Sequence, residues 1–357
     1  MRFSRRDILQ VMGTGAIAAT GLTGLTRRAR AAGTVTVLNW QGYGTDEAWA
    51  VKIFTEKTGI EVVNDYFNSE AEMLTKLRTN PGIYDVVLVN CARTKQAVAE
   101  GLLDPVDFAA FPNAAGLSPQ LKENADLTVD DKIYGVAWVW GMNALAFRQG
   151  TPRPDSYAAL ADEAYAGKVA LYDDAVTSIA VGALMTGQDM NDPKDLVIIR
   201  EQLKVLKPNV KTIWSSEDQW NKAFSAGEFD LSIYWSGASV RSQRNFKLPV
   251  EFVVPKEGAI GWFDTLAVPA TSANKESAAA FIDYMIDPAF YVEWATKIGA
   301  PASANVSAME SLPEGDLSRT VHAAETLDKM TLMAPMEDEK RERFNNLWQE
   351  VKAHYAS

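Results

Sequence analysis

From Thr34 onward, short apolar and β-branched runs alternate with stretches in which apolar residues recur every three or four positions. Thr34 to Trp40 predicts a strand. Thr45-Asp46-Glu47 then places acids where the positive end of a helix dipole favours them, Trp49, Ile53 and Phe54 keep helical spacing, and Gly59 supplies a stop. Ile60 to Phe67 predicts the next strand. Ser69-Glu70-Ala71-Glu72 predicts a capping box for a helix carrying Met73, Leu74 and Leu77, and Asp85 to Val89 a strand buried on both faces. The later half repeats the style. Lys168 to Asp174, Phe229 to Trp235 and Val250 to Val254 predict strands, and Leu196, Ile199, Leu203 and Leu206 fall on one helix face.

Strands alternating with helices predict parallel sheets covered by helices, and two such halves predict an α/β protein of two lobes. Val136 to Leu145 and Gly261 to Pro269 are extended and apolar with little turn punctuation, so each is expected to cross between lobes. The expected division is 32–140 with 265–309 for one lobe and 141–264 with 310–357 for the other. The charged stretch Glu337 to Arg343, leading into Phe344, Leu347, Trp348 and Val351, predicts a solvated helix start feeding a packed face, with no function assigned to it.

Composition narrows the function classes. The 357 residues are 47% apolar and 23% charged, enough for two buried cores. A net charge of -11 disfavours a nucleic-acid partner, since no basic surplus exists to neutralise phosphates. Cys91 is the one cysteine, and His322 and His354 are the two histidines, which leaves little material for a metal site or histidine acid/base chemistry. The charge is unevenly spread: residues 1–31 carry six arginines and one acid, a local +5 that leaves -16 on the rest. Arg5-Arg6, an uncharged run from Val11 to Thr26, and Ala29-Arg30-Ala31 resemble a twin-arginine export signal with cleavage near Ala31, and predict a periplasmic location. The run is too short and too glycine-rich for a membrane span. Gly13-Thr14-Gly15-Ala16-Ile17-Ala18 matches a dinucleotide fingerprint, but no predicted strand precedes it and it falls within the signal.

After residue 31 the sequence offers no nucleophile elbow, phosphate loop or paired-cysteine motif. No cofactor, metal or catalytic residue is expected. Cys91 is read as a small buried thiol, and Asp173 and Asp174, as neighbours on a strand, as pointing to opposite faces. The conspicuous feature is the set of tryptophans at strand ends. Trp40, Gln41 and Tyr43 close the first strand, Trp235 ends another, and Trp262 and Asp264, two apart, share a face if that segment is extended. Ligands in parallel α/β sheets lie beyond the carboxyl ends of strands, where such residues meet. Aromatic faces with a carboxylate suit an organic ammonium ion. Core packing is the competing explanation for any one tryptophan. It is weaker for Trp262, because an acid on a packed strand face requires a partner. Trp138 and Trp140 share a face but have no accompanying acid and are read as core or hinge packing.

At these residues the chain resembles the periplasmic spermidine/putrescine-binding proteins of ABC importers, with a type II-like two-lobed fold. The similarity runs through Leu38-Asn39-Trp40, Phe54 to Ile60, Tyr84 to Val87, Trp140-Gly141, Asp173-Asp174-Ala175, Lys207 to Val210, and Pro255 to Gly258 on through Trp262, Asp264 and Pro269. The resemblance implies a monomeric receptor, not an enzyme, that holds a small amine between its lobes, closes by hinge rotation and hands the solute to a permease in the inner membrane. By matched position, Trp40, Gln41 and Tyr43 would line one wall with Asn90, and Trp235 and Trp262 would sandwich the ligand. Asp264 would bind one ammonium and Asp174 the other end. The chain departs from the family in three places: Thr177 stands where relatives have a second acid, Asn90 and Ala92 where they have serine and tyrosine, and no glutamine lies between Met333 and Met336. Losing a carboxylate forfeits on the order of 1.5 to 3 kcal/mol for a charged hydrogen bond, which favours a diamine over spermidine. The alternative ligand is a zwitterion such as γ-aminobutyrate, with Arg241 or Arg93 facing its carboxylate.

Overall fold

The computed structural model describes residues 33–357, so the segment 1–31 that carries the predicted export signal lies outside the described residues. The chain begins with β1 (Thr34–Asn39), the helix Ala48–Thr58, β2 (Glu61–Tyr66), the helix Glu70–Thr79, β3 (Val86–Asn90) and the helix Cys91–Ala99. A hairpin of β4 (Thr128–Val129) and β5 (Lys132–Ile133) precedes the long β6 (Val136–Arg148). Next, β7 (Val169–Tyr172), β8 (Val210–Trp214) and β9 (Leu231–Trp235) alternate with the helices Ala175–Met185, Leu196–Val205, Glu217–Ser225 and Ser236–Phe246. The remaining strands are β10 (Val250–Val253), β11 (Ala259–Ala267), β12 (Ala302–Ser303) and β13 (Met330–Leu332), and the helix Asp338–Ala356 ends the chain.

The predicted elements form with small shifts, each with a local cause. Gly59 stops the first helix in the left-handed conformation (φ 76°), which a residue without a Cβ adopts at little cost. Ser69 accepts a hydrogen bond from the amide of Glu72 (3.1 Å), as a cap should, but Glu72 reaches back to the amide of Asn68 (2.9 Å), one residue before the cap. The strand predicted from Lys168 to Asp174 ends at Tyr172, because Asp174 caps the next helix by accepting from the amide of Thr177 (2.7 Å). Asp173 and Asp174 therefore diverge as helix-entry residues and not as strand neighbours. Asp173 turns away to Trp348 and Lys352, both at 2.8 Å.

The strand order β2-β1-β3-β11-β6-β9-β7-β8 is nearly symmetric about its centre. On one flank β1 lies parallel between β2 and β3, and on the other β7 lies parallel between β8 and β9. The crossing segments predicted from sequence are β6 and β11. They run antiparallel to each other, and they join the flanks through antiparallel pairs with β3 and β9. Twelve of the thirteen β6 residues are buried, as expected of a strand covered on both faces. Two bodies of apolar packing follow this symmetry. One gathers Val37, Phe54, Leu74, Val87, Trp138 and Phe281; the other gathers Leu145, Ile199, Leu231 and Trp348, adjoined by a cluster around Trp214 and Trp220. The first takes β6 up to Ala144 and the second begins at Leu145. Leu312 and Met330, placed in the second lobe on sequence grounds, pack in the first body.

The carboxyl ends of β1 and β3 on one flank, and of β7 and β9 on the other, carry the loops that border one large cavity beside the crossing strands.

Candidate functional site

The cavity measures about 850 Å³, within the range of small-molecule sites. Of the residues expected at the site, Trp40, Tyr43, Asn90, Asp174, Trp235, Trp262 and Asp264 all line it. Gln41 does not. It is exposed in the turn after β1 and stands outside the lining, since the turn carries Trp40 and Tyr43 inward and leaves the intervening side chain in solvent.

Asp264 is the electrostatic centre. It sits on β11, paired with Asn90 of β3 and Val139 of β6, and is only 6% exposed. Asn90 donates to one carboxylate oxygen (2.9 Å) and the Tyr43 hydroxyl to the other (3.0 Å). Burial pushes its pKa up to about 7. The two hydrogen bonds pull the other way, and the nearby charge of Glu70 adds to the rise. Within the described residues no base pairs with Asp264, so a cation entering the cavity finds a carboxylate held in place and incompletely compensated. Asn90 thus acts on Asp264 while its own side-chain oxygen caps the helix Cys91–Ala99 through the amide of Ala92 (3.1 Å).

The rings are fixed from behind. Trp40 meets Phe67 edge to face (4.5 Å between centroids), Tyr43 meets Trp138 (5.7 Å), and Trp235 meets Tyr172 and Trp214 (5.1 and 5.0 Å). Trp138 and Trp140 are 1% and 2% exposed and serve as core, as expected. Trp262 and Asp264 share one face of β11, and the indole of Trp262 lies across the opposite strand at Gly141, where an added Cβ would come within 2.5 Å of it. Gly141→Ala is therefore expected to displace the Trp262 ring and weaken cation binding by about 0.5 to 2 kcal/mol, two- to thirtyfold in Kd, while the chain still folds. Calorimetric titration beside a melting curve checks this.

Four further charged residues of the lining form two matched pairs. Glu70, at the start of the helix after β2, holds the Arg93 guanidinium (3.0 Å), and Glu217, at the start of the helix after β8, holds Arg241 (2.6 Å). Gln96 and the carbonyl of Gly299 take further donors of Arg93 and Arg241 respectively. Glu70 reads from sequence as part of a helix-capping box and Glu217 falls in no pattern singled out there, so neither stood out as a site residue. The structure also brings Arg341 to the cavity, out of the stretch read as solvated surface. Phe344, Leu347, Trp348 and Val351 are buried as predicted, and anchoring that face turns the start of the helix toward the cavity.

His322 and Cys91 have other roles. Burial pushes the Cys91 thiol up to about 12, and it pushes His322 down to about 4, where the ring bonds to the Ser318 carbonyl and the Ser236 hydroxyl. Among the described residues no cluster of His, Cys, Asp or Glu could hold a metal ion, and no helix is long and apolar enough to cross a membrane.

The family model for bacterial extracellular solute-binding protein matches residues 49–323. The spermidine/putrescine-binding periplasmic protein 1 of Haemophilus influenzae is 33% identical to this chain over 79% of its length and 78% of the relative's. The spermidine/putrescine-binding periplasmic protein of Escherichia coli is 31% identical, covering 77% of this chain and 79% of its own. Among solved structures, the spermidine/putrescine ABC transporter substrate-binding protein of Streptococcus pneumoniae superposes with a TM-score of 0.80 over 90% of this chain and 99% of its own. At 22% identity that likeness speaks for the fold.

Proposed function

The chain belongs to the bacterial extracellular solute-binding protein family, and on that premise we propose that it is an exported receptor of an ABC importer that carries a small organic amine to the permease. The observation that carries this reading is Asp264, a buried carboxylate without a basic partner among the described residues, at the edge of a cavity bordered by Trp40, Tyr43, Trp235 and Trp262. An ammonium ion there gains the carboxylate and the ring faces together, and its methylenes lie against indole. The relatives' printed names point to the same class, amines of the spermidine and putrescine kind. Capture proceeds by rotation of the two lobes about the crossing strands β6 and β11, which closes the cavity on the solute. No step of bond making or breaking is needed, and the protein acts as a monomer without cofactor. Export uses the twin-arginine signal of residues 1–31, with cleavage near Ala31, and leaves the mature chain in the periplasm.

An amine at one hundred times its Kd is expected to stabilise the purified protein by about 2.7 kcal/mol, read as a melting temperature several degrees higher. Melting curves unmoved by every member of a panel of mono-, di- and polyamines and amino acids would remove the amine assignment.

A further inference from the structure

We infer that Arg341 is a carboxylate-binding residue, and that the amine this cavity selects carries a carboxylate at its far end, a short ω-amino acid and not a diamine. The inference rests on the amine reading of Asp264 and narrows it.

Three arginines line the cavity, and two are already spent. Arg241 directs Nε and Nη2 to Glu217 and Nη1 to the Gly299 carbonyl, and Arg93 directs Nε to Glu70 and Nη1 to Gln96. Both arginines considered from sequence as partners for a zwitterion are therefore held by their own glutamates. Arg341 differs. Among the described residues no carboxylate lies within ion-pair distance of it, its side chain makes no hydrogen bond, and its buried Nε has no acceptor. Burial and the neighbouring Arg93 charge work against its cationic form, and Glu70, Asp174 and Asp338 favour it. A guanidinium presents paired donors in a fork that matches a carboxylate, and a buried donor without a partner is costly.

Arg341 stands where the Asp174 side of the cavity meets Glu70 and Arg93 of the other flank, with Arg93 Nη1 3.9 Å from Asp338 on the helix that carries Arg341. The helix Asp338–Ala356 packs on the helix Ala175–Met185, whose cap is Asp174, whereas Asp264 is held by Tyr43 and Asn90 of the other flank. At the Asp174 end little is left to receive a second ammonium. One oxygen of Asp174 is engaged by the Thr177 amide, Thr177 is neutral, and Arg341 repels a cation. The first turn of the helix Ala175–Met185, with Val176 and Thr177 in the lining, adds the positive end of its dipole. With the two Glu–Arg pairs cancelling, the lining acids and bases left over are Asp264, Asp174 and Arg341. A ligand with an ammonium at one end and a carboxylate at the other meets a partner at each.

Calorimetry with γ-aminobutyrate, 5-aminovalerate, putrescine and cadaverine on the wild type, Arg341→Gln, Arg341→Lys and Asp264→Asn tests this. The expected result is tighter binding of the ω-amino acids than of the diamines, a loss of about 10- to 100-fold for them in Arg341→Gln with partial recovery in Arg341→Lys, and diamine binding improved in Arg341→Gln, where the repelling charge is gone, but not in Arg341→Lys, which keeps it. If the wild type prefers diamines, and Asp264→Asn abolishes their binding while Arg341→Gln has no effect, the inference is overturned and the amine reading stands. If neither class binds the wild type, both fall. Melting curves of the variants establish that they are folded.

Discussion

Asp264→Asn is expected to weaken amine binding by about 3 to 5 kcal/mol, a two- to nearly four-decade rise in Kd, because the ligand's ammonium is then buried against a neutral amide. The substitution is close to isosteric, so Tyr43 and Asn90 keep a neighbour of the same size and the rings keep their seats. Loss of binding therefore reports the charge and not a collapsed cavity. The same change is expected to stabilise the empty protein at pH 8. The carboxyl titrates at about 7 in the folded chain and near 4 when unfolded, so the folded state holds its proton more strongly. That preference favours folding fully below about pH 4, is lost as the pH rises from about 4 to about 7, and is absent above. The ionised carboxylate at pH 8 thus costs on the order of 4 kcal/mol relative to acid conditions, part of which the neutral amide of the variant would recover. A variant that binds worse yet melts higher separates a functional acid from a structural one. An unchanged Kd places Asp264 outside the site.

The second large effect is the pH dependence of affinity. The ligand's ammonium stays charged up to about pH 10, so below that the titrating partner is Asp264. Affinity is expected to be flat above pH 8 and to fall about tenfold per unit below 7, approaching 100-fold weaker at pH 5. Tyr43 and Asn90, which hold the carboxyl by hydrogen bonds, stay in one protonation state over this range, so the fall should follow one proton. Isothermal titrations from pH 5 to 9 measure it. An affinity constant over that range would mean that the ammonium does not sit on Asp264.

Much of this arrangement is legible in the sequence where local chemistry decides the outcome. The alternation of β-branched runs with helical spacing gives the parallel flanks, and the unpunctuated apolar stretches give β6 and β11, because a strand covered on both faces must be apolar throughout. Trp262 and Asp264 share a face by the two-residue period of a strand alone. The rest depends on contacts distant in sequence. Glu70 reads as part of a capping box and Glu217 falls in no pattern, and only the fold shows that each fixes an arginine at the cavity wall. Arg341 sits in a charge run indistinguishable from solvated surface until the buried Phe344 to Val351 face sets the direction of its helix. Gln41 carries the opposite lesson. It sits between two lining aromatics, but a turn, unlike a strand, presents no regular face, and its side chain stays in solvent.

A crystal structure of the protein grown at pH 8 with its tightest amine tests the central claim most directly. The account predicts an ammonium nitrogen within hydrogen-bonding distance of the Asp264 carboxylate, with the attached methylenes between the rings of Trp235 and Trp262. An amine seated elsewhere, or those rings closed onto each other with Asp264 turned to a protein partner, would contradict it.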